Sequence, residues 1–174
     1  MEKSYSKRIA LIGYMGAGKS HIGRQLAMAL DLPFFDLDEV IGQLSGCTLT
    51  DLMRRKGEIV FREFEQKALH MVLKKDAYVL ACGGGTPAYY NNMDALLEKA
   101  HVVYLDCSIK VLESRLLPEK DTRPLLESIP EDEVGTFIAK HLFERRPYYE
   151  RAHQTIKGDE LVVDELVSAL PIQD

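Results

Sequence analysis

The eight residues Gly13-Tyr14-Met15-Gly16-Ala17-Gly18-Lys19-Ser20 have the spacing G-x-x-x-x-G-K-S, a pattern suited to gripping a polyphosphate. Glycines at 13, 16 and 18 allow backbone angles and close approach that a Cβ would block, so successive N–H groups can point inward at phosphate oxygens. Lys19 can reach the β- and γ-phosphates, and the Ser20 hydroxyl can ligate Mg²⁺. A helix starting at Lys19 would aim its positive end at the same anion. Gly16, Ala17, Gly18, Lys19, Ser20 and, through its backbone N–H, His21 are therefore the expected ATP-binding set.

Other candidates lie further along the chain. Asp36 and Asp38 stand two apart at the end of a short apolar run. On a strand, residues two apart point the same way. Both carboxylates are then expected to face the site, one towards Mg²⁺ and one towards an acceptor hydroxyl. Gly83-Gly84-Gly85 follows a second apolar run and offers backbone N–H groups and room for a ligand.

These residues need elements to hold them. Arg8 to Ile12 reads as a buried parallel strand leading into the glycine loop. Ile22, Leu26, Ala29 and Leu30 then recur at helical spacing. Leu32 to Asp38 is expected as a second strand, with Thr48 as a helix cap and Gly57 as a breaker before one long helix, Glu58 to Lys75. Ala77 to Cys82 reads as a third strand and Asn92 to Lys99 as a helix. Val102 to Leu105 reads as a fourth strand, with Ser108 capping a helix over Ile109 to Leu117. Pro118 to Pro130 has no periodicity and is expected to be a mobile surface segment. Glu131 to Tyr149 is expected to be helical, Thr155 to Lys157 a fifth strand, and Leu161 to Leu170 a closing helix. Strands alternating with long helices imply an α/β fold with a parallel sheet covered on both faces.

The 174 residues suit one domain. With 46% hydrophobic and 28% charged residues, the composition indicates neither disorder nor a fibre. No apolar run approaches the roughly 20 residues of a membrane span. The polar start, Met1 to Lys7, lacks the apolar stretch of a signal peptide, so a cytoplasmic location and no membrane partner are expected. A formal charge of −5 argues against nucleic acid as a partner. Cys47, Cys82 and Cys107 fit neither a disulfide framework nor a zinc site and are expected as free thiols. A GTPase would need a guanine-reading Asn-Lys-x-Asp run, which the chain lacks. The compact size and the Pro- and Arg-containing segment after the fourth strand suggest a nucleoside-monophosphate-kinase-like architecture with a lid that closes over ATP.

Taken in order, the glycine loop, Asp36-x-Asp38, Gly57-Glu58-x-x-Phe61-Arg62, Gly83-Gly84-Gly85, Arg123-Pro124-Leu125-Leu126 and Arg145-x-Pro147-x-Tyr149 resemble the shikimate kinase family. The resemblance spans Ile9 to about Tyr149. It implies a three-layer α/β/α P-loop fold with a five-stranded parallel sheet in the order 2-3-1-4-5, a lid at about 116–128 and a substrate-binding region at about 36–62. It implies phosphorylation of the 3-hydroxyl of shikimate by ATP with Mg²⁺, by a monomer. By the same resemblance Asp38 holds the ring hydroxyls and can accept a proton, while Arg62 and Arg145 clamp the carboxylate and the backbone of Gly83, Gly84 and Gly85 completes the pocket. Asp36 assists Ser20 at the metal, Arg123 meets the transferring phosphoryl group, and Arg115 stacks on adenine. Arg146, beside Arg145, is set aside on its spacing to Pro147 and Tyr149. His21 stands where the family often has a small hydroxyl residue, and Lys157 to Glu160 has no match to an adenine-contacting residue. Two other readings stay open: a kinase of another polyol or sugar acid such as gluconate, and a module that binds ATP without turning it over.

Overall fold

A computed structural model describes residues 4–173, so Met1 to Lys3 of the polar start lie outside it. In chain order the strands are β1 (Ser4–Tyr5), β2 (Arg8–Ile12), β3 (Phe34–Asp36), β4 (Tyr78–Ala81), β5 (His101–Asp106), β6 (Gln154–Lys157) and β7 (Ile172–Gln173). The helices are α1 (Lys19–Ala29), α2 (Leu37–Ser45), α3 (Leu49–Leu73), α4 (Asn92–Lys99), α5 (Ile109–Leu116), α6 (Val134–Tyr149) and α7 (Val163–Ala169). Five strands form one parallel sheet in the order β3-β4-β2-β5-β6, which is the expected 2-3-1-4-5. The antiparallel pair of β1 with β7 was not expected.

Successive residues of a strand face opposite sides of the sheet. Ile9, Ala10, Leu11 and Ile12 are all fully buried, so both faces of β2 are covered by other elements. This puts the most heavily protected strand directly before the phosphate loop. At Gly13 the chain leaves the sheet with φ of 146°, and a Cβ there would lie 2.7 Å from the Leu105 carbonyl oxygen on the neighbouring strand. Only glycine allows β2 to turn out at that point.

The largest departure from the sequence reading is at Asp36 to Ser45. The second strand is short and stops at Asp36, which is the N-cap of α2; its carboxylate accepts the Asp38 N–H at 3.1 Å. Asp38 therefore sits in the first turn of a helix and not on a strand. Gly46, with φ of 70°, closes that helix. Thr48 caps α3 as expected, and Gly57, with φ of 81° and ψ of 173°, breaks the helical backbone as expected, so that α3 is two helices run together across a kink. The segment after α5 is also less superficial than expected: Leu117–Thr122 is a 3₁₀ helix, and Leu126 is fully buried. Glu131–Glu133 forms a 3₁₀ turn ahead of α6. The remaining strands and helices fall within two residues or so of their expected bounds. Cys82 and Cys107 are buried and Cys47 half-buried, all as free thiols. Among the described residues no helix is long and apolar enough to cross a membrane.

Candidate active site

The loop after β2 and the N-terminus of α1 form the floor of a cavity of about 480 Å³, lined by Gly16, Gly18, Lys19, Ser20, His21 and Arg115 among others. Gly18 is the helix N-cap in left-handed conformation, with no side chain occupying the first N–H groups. Those donors and the helix dipole are left for an anion. Lys19 is buried, and its ammonium donates to the carbonyls of Gly13 and Tyr14, each at 2.8 Å. Burial pulls that ammonium down to about 8, against the attraction of Asp38. The Ser20 hydroxyl donates to Asp36 Oδ2 at 2.5 Å. A hydroxyl and a carboxylate side by side at the phosphate cradle are hard oxygen donors of the kind Mg²⁺ takes.

A second cavity, of about 280 Å³, lies beside the first. Its apolar walls include Leu49, Met53, Phe61 and Leu125, and its polar groups are Asp38, Arg62, Glu65, Arg145 and the glycine triplet. Met15, Asp38, Gly83, Gly84 and Arg123 line both cavities. The two therefore meet at a carboxylate and a guanidinium. Asp38 is open to solvent on the cleft side, yet protein crowds it elsewhere. Its carboxyl is pushed up to about 6, by desolvation first and the Asp36 charge next, with Lys19 opposing. Arg123 is held by Glu119, to which its Nε donates at 2.9 Å.

The two arginines assigned to one carboxylate differ in their surroundings. Arg62 is 7% exposed and already paired: Nη1 lies 2.8 Å from Glu65, which is 1% exposed, and Nη2 lies 3.3 Å from Glu58. It lies over the Tyr89 ring at 3.8 Å, and the Tyr89 hydroxyl donates to Glu58 at 2.7 Å. Glu65 is fixed in turn by the Thr86 hydroxyl at 2.7 Å. Arg145 is 8% exposed, faces the same cavity, and has no carboxylate within ion-pair distance among the described residues. Arg146 turns to Asp106 and Glu150 instead. The triplet is glycine because of close approach. A Cβ on Gly85 would sit 2.8 Å from the Arg62 guanidinium, and one on Gly84 would sit 3.1 Å from the Met15 nitrogen.

Every candidate ligand-contacting residue named from the sequence lies on one of these cavities except Gly13, which lines neither, and Ala17, which belongs to a third. That cavity, of about 270 Å³, is bounded by Ala17, Gly18, His21, Ile22, Arg115 and Leu161. Arg115 donates to the carbonyls of Gly16 at 3.0 Å and Asp159 at 2.6 Å, so it ties the phosphate loop to the segment before α7. The Asp159 carboxylate accepts from both the N–H and the hydroxyl of Ser108. The sequence reading missed Glu65, Tyr89, Thr86, Asp159 and Leu161. Of these, Glu65 alone had a local signal, its i,i+3 spacing from Arg62.

The comparisons with known proteins agree with this geometry. A family model described as shikimate kinase matches residues 15–171. The shikimate kinase of Flavobacterium psychrophilum is 40% identical over 88% of this chain and 91% of that protein. Among solved structures, the shikimate kinase of Bacteroides thetaiotaomicron superposes with a TM-score of 0.86 at 36% identity, covering 94% of this chain and 95% of that one. The Acinetobacter baumannii shikimate kinase, solved in complex with shikimate, gives a TM-score of 0.84 at 33% identity over 92% of this chain and 88% of its own. A phosphate cradle, an adjoining cavity with a buried unpaired arginine, and these matches lead to one conclusion: the chain belongs to the shikimate kinase family.

Proposed function

We propose that this chain transfers the γ-phosphoryl group of ATP to the 3-hydroxyl of shikimate, giving shikimate 3-phosphate and ADP. The observation that carries this reading is the junction of the two cavities at Asp38 and Arg123. A phosphoryl group passing from one cavity to the other must cross there. The carboxylate of shikimate suits Arg145, a buried charge with no carboxylate in ion-pair reach among the described residues, and Arg62 completes the clamp. The ring would rest on Leu49, Met53 and Phe61 with its hydroxyls towards Asp38. The adenine would lie between Arg115 and Leu161.

In the reaction Lys19 exchanges its two loop carbonyls for phosphate oxygens, and Arg123 leaves Glu119 to face the transferring group. Asp38 orients the acceptor hydroxyl and takes its proton as the new P–O bond forms. Positioning and charge stabilisation account for most of the catalysis in such transfers. Mg²⁺, when bound, neutralises charge on the β- and γ-phosphates, and Ser20 with Asp36 would hold it. The residues at about 116–128 serve as a lid and those at about 36–62 as the acceptor-binding region of a single domain. The protein works as a cytoplasmic monomer, with a small-molecule substrate and no nucleic acid.

A coupled ADP-release assay with shikimate present and absent tests the reading. Turnover well above the acceptor-free background is expected, and turnover at background, or faster with gluconate, overturns it. The pH dependence follows from the two shifted groups. Asp38 becomes a carboxylate as pH rises through about 6, and Lys19 loses its charge above about 8. We expect kcat/KM to rise through the first value and fall past the second, and a profile flat from about pH 5 to about pH 9 contradicts the assignment.

The arginines should separate experimentally. Arg145→Leu removes one charge-assisted contact and is expected to raise the KM for shikimate by about 10–100-fold, with the KM for ATP unchanged. Arg62→Ala strands Glu65 in the interior, and is expected to lower unfolding stability by about 3–5 kcal/mol as well. Urea unfolding of both variants checks the contrast, and equal stability loss would contradict it.

A further inference from the structure

Tyr14 belongs to the phosphate loop yet contacts a residue 127 positions away. It is 1% exposed, and its hydroxyl lies 2.9 Å from Nδ1 of His141 on α6. The two rings meet edge-on, with centroids 5.6 Å apart and planes at 89°, and Phe137 packs against the imidazole from the same helix. Burial and the Arg145 charge hold His141 below its ordinary range. Both favour the neutral imidazole, and in its Nε2-protonated tautomer Nδ1 accepts from the Tyr14 O–H.

His141 and Arg145 are one helical turn apart and share a face of α6. On the far side of Arg145, the Tyr149 hydroxyl donates to the Gly84 carbonyl at 2.5 Å. Helix α6 is thus fastened to the phosphate loop through Tyr14 and to the glycine triplet through Tyr149, with Arg145 between the two ties. The Tyr14 carbonyl, in turn, accepts from Lys19. Phosphate bound in the cradle would compete for that ammonium and draw it off the loop carbonyls onto the ligand.

We infer that the Tyr14–His141 hydrogen bond is a positioning link, through which occupancy of the nucleotide cavity sets how Arg145 meets the acceptor. The inference rests on the acceptor reading above, and neither residue touches a reacting atom.

Calorimetry of shikimate binding, with and without saturating MgADP, tests the link on wild type, Tyr14→Phe, His141→Leu and His141→Asn. MgADP is expected to change the wild-type Kd for shikimate by about fivefold or more, with the reciprocal change in MgADP affinity. Tyr14→Phe and His141→Leu should bring that factor close to one. His141→Asn puts an amide oxygen near the position of Nδ1 and should retain most of it. Packing alone would lower thermal stability in all three variants and leave the factor intact. A wild-type factor of one, or a full factor in Tyr14→Phe, overturns the inference. A second readout needs no acceptor: the imidazole ¹⁵N resonances of His141 should shift on MgADP binding in wild type and stay in place in Tyr14→Phe. A missing wild-type shift also overturns the link. If that shift is seen but shikimate binds to no form, the link stands and the acceptor reading fails.

Discussion

Asp38 has to carry a negative charge at the mouth of a cradle that attracts phosphates, and the site is arranged around that conflict. A carboxylate there repels the incoming polyphosphate and is costly to crowd with protein. Its carboxyl is accordingly pushed up to about 6, towards the range in which a general base is most effective. Lys19 and Arg123 oppose this from the donor side, and in the proposed reaction both would exchange their protein partners for phosphate. The same competition that holds the donor thus relieves the acceptor's carboxylate. Asp36 is drawn into the arrangement twice, through Ser20 and through the helix it caps.

Charge on the acceptor side is divided between two arginines of opposite character. Arg62 is neutralised by Glu58 and Glu65 and boxed in by Tyr89, so it is a rigid wall with hydrogen-bonding capacity. Arg145 brings a buried cation with no carboxylate partner among the described residues to the wall of an open cavity, which a polar fold tolerates when a ligand supplies the counter-charge. One preformed and one waiting guanidinium give both shape and electrostatic demand for a small carboxylate. A neutral sugar would satisfy the first and not the second.

Much of this was legible in the residues because the constraints were local. The phosphate loop has its chemistry at fixed spacings, Ser108 and Thr48 cap helices by a side chain three residues ahead of its partner, and buried strands read as apolar runs. The strand order came through the family resemblance. The misreading of Asp36 to Ser45 has a specific cause: Asp-x-Asp was taken with strand geometry, although Leu37 and Ile41 are spaced as one buried helical face and Gly46 marks its end. Asp159 and the Tyr14–His141 pair could not be found this way, and Glu65 offered only its spacing from Arg62. Each owes its importance to a partner or to a degree of burial that only the folded chain creates.

The central claim is that Asp38 serves the acceptor and the chemistry while the loop alone holds the donor, and Asp38→Asn tests it most directly, with kcat and the Kd for MgATP measured on the same preparation. The account predicts a fall in kcat of roughly 10²–10⁴-fold, from loss of a positioned base, with MgATP affinity equal to or slightly tighter than wild type once a repelling charge is gone. An undiminished kcat, or a loss of MgATP affinity as large as the loss of rate, would contradict it.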